Sequence, residues 1–271
     1  MTTLLYFIII VIGAIMCIRW NPVIGAIVSF AILVIFIYNK RPVFYVVKAR
    51  TAFAKGQFAE AKRQYQKALK TGKAQVATRI EYADALMRTG HFEEAEQQLN
   101  NLLRYKLKKE HEKPAKLRRC MVYYKQNNLQ EAYDDAMEIY NEGYRTTYLY
   151  GLLGYFKILK DKLSDETLEF CKEAYEYNSD DRDITDNLAL CYYNRGDYEK
   201  AKKLSDKILK DDPKFVEAYY HGALIEYALC DYKKVIELLD KTPDCRWSAM
   251  TTVTRGEVED LKNKAFRRLE E

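Results

Sequence analysis

The sequence predicts an all-α protein, an α-solenoid of about six antiparallel helix pairs behind an N-terminal two-helix membrane hairpin. Three observations carry this expectation. A six-residue motif recurs at a fixed interval, the first forty residues are almost wholly apolar, and the five prolines fall where the ends of helices are expected. The chain is accordingly divided into residues 1–41 (hairpin), 42–245 (repeat array) and 246–271 (C-terminal loop and capping helix).

The hairpin comes first. Leu4 to Ile18 is an unbroken apolar run, Arg19-Trp20-Asn21-Pro22 interrupts it, and Val23 to Tyr38 is a second run ending at Asn39-Lys40-Arg41. Each run is slightly shorter than the ~20 residues that span a bilayer core, so a full crossing and a re-entrant loop are both compatible with it. A cleaved signal peptide would need a basic stretch before its apolar core, and Met1-Thr2-Thr3 has none. Helices apolar on every face could hardly be covered by a soluble domain of this size. Both ends of a hairpin lie on one side. Lys40, Arg41, Lys48, Arg50 and Lys55 follow the second run with no acid before Glu60, against Arg19 alone in the turn. Positive flanks stay cytoplasmic, so the repeats are expected in the cytoplasm, with a bacterial cell membrane as the expected setting. Gly13 with Cys17, and Gly25 with Ser29, give each membrane helix a narrow face for close helix contact.

The repeat is read from Gly56-Gln57-Phe58-Ala59-Glu60-Ala61, which returns as Gly90-His91-Phe92-Glu93-Glu94-Ala95 and as Gly196-Asp197-Tyr198-Glu199-Lys200-Ala201. Degenerate copies are Asn127 to Ala132, Leu163 to Thr167, and Cys230 to Val235. Equivalent positions 61, 95, 132, 167, 201 and 235 are spaced by 34, 37, 35, 34 and 34 residues, which puts longer loops around Lys108–Lys113 and Asp161–Ser164. Pro22 is placed in the hairpin turn, Pro42 and Pro114 at the openings of the first and third repeats, Pro213 between the fifth and sixth, and Pro243 after the last. Val258, Leu261, Ala265, Phe266 and Leu269 form one apolar stripe in a charged segment, as a solvating terminal helix requires. The first repeat has no polar cap. Its first helix is therefore expected to pack on the bilayer or to continue from the membrane helix.

These motifs resemble the tetratricopeptide repeat. The resemblance implies a right-handed superhelix of helix pairs in which Gly permits the tight turn, an aromatic plugs the crevice beside it, and Ala lets the helices touch. It also implies a concave groove, lined by the first helix of each pair, that holds an extended peptide or a partner helix. Counting from each turn places Arg50, Phe53, Asp84, Met87 and Arg88 on the early part of that groove. Met121, Tyr124, Tyr148 and Tyr155 follow, then Tyr193, Asn194, Tyr220, Leu224 and Tyr227. Tyrosine suits recognition of a segment with aromatic or apolar anchors, although the 23 tyrosines also serve as inter-helix plugs. The basic clamp with which chaperone-tail binders of this family hold a terminal carboxylate is replaced here by Asp183, Asp186, Leu190 and Tyr193.

No catalytic chemistry is legible. His91, His111 and His221 are scattered, no H-E-x-x-H, calcium-loop or phosphate-loop motif occurs, and the six cysteines form no C-x-x-C pair and read as reduced packing residues. No cofactor, metal or enzymatic activity is expected. Beyond residue 39 the balance is 43 Lys and Arg against 39 Asp and Glu, too even for a nucleic-acid binder. The one basic cluster, Lys108 to Arg119, is read as a solvated face, with an anionic lipid or acidic partner as its alternative. The expected function is a membrane-anchored scaffold or assembly factor that recruits proteins through a tyrosine-rich groove and meets the bilayer through residues 1–41. The alternative is a regulatory subunit of a small oligomeric membrane complex whose active part is the hairpin. Only Ser29 and Cys17 are polar within the membrane runs, which favours an anchor; oligomeric state is not legible.

Overall fold

The computed structural model describes residues 19–271. The first membrane run, with Gly13 and Cys17, lies outside the described residues, so the pairing of the hairpin does too. The described residues form thirteen α-helices and one short 3-10 turn, with no strand among them. The chain divides into two compact units, residues 1–82 and 83–271.

The first unit is built on α1 (Pro22–Ala54). The Asn21 side chain accepts the Val23 N–H at 3.0 Å and the Ile24 N–H at 3.3 Å, and Pro22 supplies the first helical residue, so the start is capped by local chemistry. The helix then runs unbroken for 33 residues, which makes the second membrane run and the first helix of the first repeat one rod. Pro42 therefore does not open a helix; it sits inside one. Its missing N–H frees the Tyr38 carbonyl four residues back, at the point where the apolar run gives way to Asn39 and Lys40 and polar groups can satisfy it. Among the described residues α1 is the one helix long and apolar enough to cross a bilayer, and almost none of that stretch is covered by protein: Ile27 is 64% and Phe30 68% exposed.

Helix α2 (Phe58–Lys70) packs back on α1 through Ala49, Ala52, Ala61 and Ala68, all buried. Helix α3 (Val76–Arg88) spans the division between the units. Within the first unit, Arg50 donates twice to Glu81, at 2.6 and 2.7 Å, and the Tyr65 hydroxyl donates to the same carboxylate at 2.6 Å. Burial pulls the Glu81 carboxyl up, but these hydrogen bonds win and hold it below its ordinary value.

The second unit continues with α4 (Phe92–Leu103), α5 (Lys109–Lys125), α6 (Leu129–Asn141), α7 (Thr147–Lys160) and α8 (Asp165–Tyr177). After them come α9 (Arg182–Asn194), α10 (Tyr198–Leu209), α11 (Val216–Ala228), α12 (Tyr232–Leu239), the 3-10 turn Thr242–Asp244, and α13 (Arg255–Glu270). Most pairs are joined by the same device. In the two described units Gly56, Gly90, Asn127, Gly196 and Cys230 all take a left-handed φ between 62° and 82°. The N–H of the next residue then reaches back to the helix it leaves, as Asp197 does to the Tyr192 carbonyl at 2.9 Å and Asp231 to Glu226 at 3.0 Å. The fourth pair differs. Its connection, Asp161 to Ser164, has one more residue, and the Ser164 hydroxyl caps α8 by accepting the Glu166 N–H at 3.2 Å.

The other irregular interval is not a loop. Lys109–Lys113 is helical, so α5 has 17 residues where α3, α9 and α11 have 13, and Pro114 lies inside it instead of at its start. Glu110 and Glu112 favour the additional turn by facing the positive end of the helix dipole. At the C-terminus, Thr254 and Glu257 form a reciprocal capping box that starts α13. Val258, Leu261 and Ala265 bury themselves against Val216, Tyr219 and Leu238, whereas Phe266 and Leu269 stay exposed, so the capping stripe is narrower than the sequence suggests. Cys120, Cys171 and Cys191 are buried free thiols, as a packing role requires.

Gly222 shows how closely the helices approach. A Cβ there would meet Ser205 Oγ at 2.9 Å and Leu209 Cδ1 at 3.1 Å, whereas one at Gly256 would meet nothing nearer than 3.9 Å. Gly222→Val is thus expected to destabilise the second unit by about 2 kcal/mol through overpacking, and Gly256→Ala to stabilise it by about 0.5 kcal/mol through the unfolded state. Chemical denaturation followed by circular dichroism separates the two, and equal midpoints would refute the close approach.

Candidate protein-binding face

The inner face of the second unit is built from α5, α7, α9 and α11, the first helices of their pairs. Between them lies a cavity of about 230 Å³. Met121, Tyr148, Leu152, Tyr155 and Phe215 supply apolar and aromatic walls, and Asp183, Asp186, Asn187, Glu217 and His221 supply the polar ones. Met250 and Thr252 complete it from a fifth element that the sequence did not mark, the connection between α12 and α13.

That connection is a strap across the inner face. The Arg246 N–H donates to the Lys214 carbonyl at 2.9 Å, and the Trp247 indole N–H to the Thr242 carbonyl at 3.0 Å. The Ala249 N–H reaches the Arg88 carbonyl at 3.4 Å, the Lys125 ammonium donates to the Thr251 carbonyl at 2.9 Å, and the Thr252 N–H and hydroxyl donate to Glu217 Oε1 at 2.8 and 3.2 Å. The strap therefore touches residues from α3, α5 and α11. Neither its length nor its composition announces this, because most of its anchors are its own main-chain groups, paired with groups distant in sequence.

The cavity is strongly acidic. His221 Nδ1 meets Asp186 Oδ2 at 2.7 Å, both side chains being nearly covered; burial pulls the imidazole down, but the carboxylate wins and raises it. Asp183 is exposed at the cavity mouth, with protein atoms crowded behind it. Burial, then the carboxylates of Asp181, Asp186 and Glu217, push it up to about 6. Tyr155 is raised by burial and by its contact with the Tyr124 hydroxyl, 3.1 Å away. Three carboxyl groups beside aromatic rings suit a cationic head on an apolar stem. Among the described residues no three His, Cys, Asp or Glu side chains gather in a metal-binding group.

The residues expected on the groove separate into five sets. Tyr148 and Tyr155 line the cavity and Tyr124 backs Tyr155 edge-on at 5.6 Å, so these three are brought together. Arg88 is exposed and meets the strap, whereas Met87 is 3% exposed and is core, a correction to its expected place. Tyr220, Leu224 and Tyr227 pack into the cluster that α13 completes, with Tyr227 also edge-on to Tyr232 at 5.3 Å; they are half-buried packing residues and not an open lining. Tyr193 lies against Tyr198 at 5.9 Å as a crevice plug, and the neighbouring Asn194 is half-buried. Phe53, in the first unit, stacks edge-on against Phe58 at 5.2 Å. The basic cluster is paired internally: Arg118 with Asp84 and Arg119 with Asp135, each at 2.7 Å, Lys113 with Glu142, and Lys116 with Glu112 and Glu138. The solvated-face reading holds for Lys108 and Lys109, which are exposed, and gives way to a structural one from Lys113 to Arg119.

A family model for the tetratricopeptide repeat matches residues 52–112 and 159–225. Those segments are tetratricopeptide repeats, and the described fold is that of a tetratricopeptide-repeat array. No protein of curated function matches the chain in sequence. In structure it is similar to a tetratricopeptide repeat protein from Parabacteroides merdae, at 15% identity and TM-score 0.56 over 85% of this chain and 93% of that one. It is also similar to a thermophilic tetratricopeptide repeat protein of Thermus thermophilus, at 14% identity and TM-score 0.56 over 73% and 100% of the two chains. The Cut9–Hcn1 hetero-tetramer of the APC/C matches at 14% identity and TM-score 0.65 over 83% of this chain and 43% of that one. At such identities these likenesses establish the fold alone.

A carboxyl whose folded pKa is raised above its unfolded value opposes folding once it must ionise. For Asp183 that cost is absent below its ordinary 3.8, grows as pH rises to about 6, and is constant above it. Asp183→Asn is therefore expected to be more stable than the parent at pH 7 by about 1 kcal/mol, discounted from full conversion for the solvent-facing edge, with the difference vanishing below pH ~4. Parallel urea melts at the two pH values test this, and coincident curves at pH 7 would refute it.

Proposed function

We propose that this chain is a membrane-anchored scaffold that holds a segment of a partner protein on the inner face of its second unit, and that it is not an enzyme. The observation that carries the reading is the strap: the face already holds a stretch of polypeptide through the main-chain groups of Thr251 and Thr252, with Met250 lining the acidic and aromatic cavity beside it. A partner segment with a basic or amide residue on an apolar stem suits the space that remains. In this reading residues 1–41 are the anchor, supported by the exposed apolar surface of α1, and both units lie on the cytoplasmic side, supported by the basic flank that begins at Lys40.

Photo-crosslinking in cells tests the face. A benzoylphenylalanine at position 148 is expected to yield discrete adducts, absent when it replaces Phe266 and lost when Tyr155→Ala and Glu217→Ala are added with helical content unchanged. Adducts that persist in that variant would place the binding elsewhere. Resistance to carbonate extraction, with a C-terminal tag cut only by cytoplasmic protease, is the expected result for the anchor and its sidedness; release by carbonate would remove the membrane half of the reading.

A further inference from the structure

The two units carry opposite charge. Residues 1–82 hold twelve Lys and Arg against two Glu, and residues 83–271 hold 32 against 37 Asp and Glu. Both acids of the first unit are engaged within it, Glu60 with Arg63 and Gln64, Glu81 with Arg50 and Tyr65. Two cations are left converging on one ring. The Arg41 guanidinium lies 4.0 Å and the Lys73 ammonium 4.6 Å from the centroid of Tyr38, and the Lys40 ammonium, on another face of α1, lies 5.9 Å from the Phe36 ring. Lys73 comes from the connection between α2 and α3 and is held there by the Asn39 side-chain oxygen. No carboxylate among the described residues forms an ion pair with these three. Arg41 Nε is buried with no hydrogen-bond partner among the described residues.

Their depth is set by the helix. From Pro22 to Tyr38 α1 rises about 24 Å, within the ~30 Å hydrocarbon core, which puts Tyr38 and the cations that follow it near the level of one leaflet's headgroups. We propose that Lys40, Arg41 and Lys73 form a collar round α1 that binds the phosphates of anionic phospholipids in that leaflet. Mutual repulsion of Arg41 and Lys73 over Tyr38 is relieved by a phosphate beside them. The collar rests on the membrane reading above, but adds to it a lipid preference that an apolar anchor alone would not give.

The test uses the full chain in nanodiscs of mixed phosphatidylcholine and phosphatidylglycerol, followed by native mass spectrometry of the retained lipid. The parent is expected to retain phosphatidylglycerol several-fold above its bulk share. The triple variant Lys40→Gln, Arg41→Gln, Lys73→Gln is expected to retain lipid at the bulk ratio, and Lys40→Arg with Lys73→Arg to keep the enrichment. Bulk-ratio retention by the parent, or equal enrichment in the triple variant, overturns the collar while leaving the anchor intact. Failure of the chain to enter nanodiscs at all overturns the membrane reading instead. Collar-dependent binding of an RNA oligomer to phosphatidylcholine nanodiscs, without lipid enrichment, overturns the lipid assignment.

Discussion

The left-handed residue at the middle of each three-residue connection is the constraint on which the array depends. It reverses the chain within one helical turn, and its neighbour's N–H satisfies a carbonyl that the ending helix would otherwise leave open. The reversal brings the next helix so close that only a small side chain fits at the contact, and Ala61, Ala95, Ala132 and Ala201 are accordingly at most 1% exposed. Glycine takes this conformation without strain. Asn127 and Cys230 take it at a cost of about 1 kcal/mol each, which the packing of Ala132 and Val235 behind them offsets.

This locality explains what could be read from the sequence. Turn, plug and small residue lie within six positions of each other, so the period is visible wherever glycine marks it, and still visible at Asn127 and Cys230. The fourth pair is harder to place because its turn has no left-handed residue and relies on a Ser164 cap instead. Proline misleads in two places. At Pro42 the freed carbonyl lies where the apolar run ends, and at Pro114 a turn of helix precedes the proline, favoured by Glu110 and Glu112. Both depend on surroundings that a rule about helix interiors does not contain.

The inner face was half legible for the same reason. Counting from the turns finds which helix a residue is on and its direction, and so groups Tyr148 and Tyr155, which line the cavity, with Tyr124 behind them. It cannot tell an open lining from one that another element covers. Tyr220 and Tyr227 fall under the contacts of α13, and Met87 is core. The strap is held by Lys125 and Glu217, side chains more than 30 residues away in sequence, through main-chain groups that every residue type possesses. Its sequence therefore carries no mark of where it lies.

A tethered occupant changes what binding to this face requires. A segment held in cis competes at an effective concentration in the millimolar range, so a partner that displaced it would need affinity well beyond that of a loose peptide. A partner that instead entered the cavity beside the strap would keep the contacts of Thr251 and Thr252 and add to them, using Asp183, whose carboxylate has no hydrogen-bonded partner among the described residues, and the ring of Tyr148. The distribution of satisfied groups favours the second route: Glu217 and Lys125 are engaged by the strap, Asp186 by His221, and the open acid is the one nearest solvent. A cation arriving there would meet a carboxyl group that burial has made reluctant to ionise, and would be stabilised by supplying the charge that makes ionisation favourable.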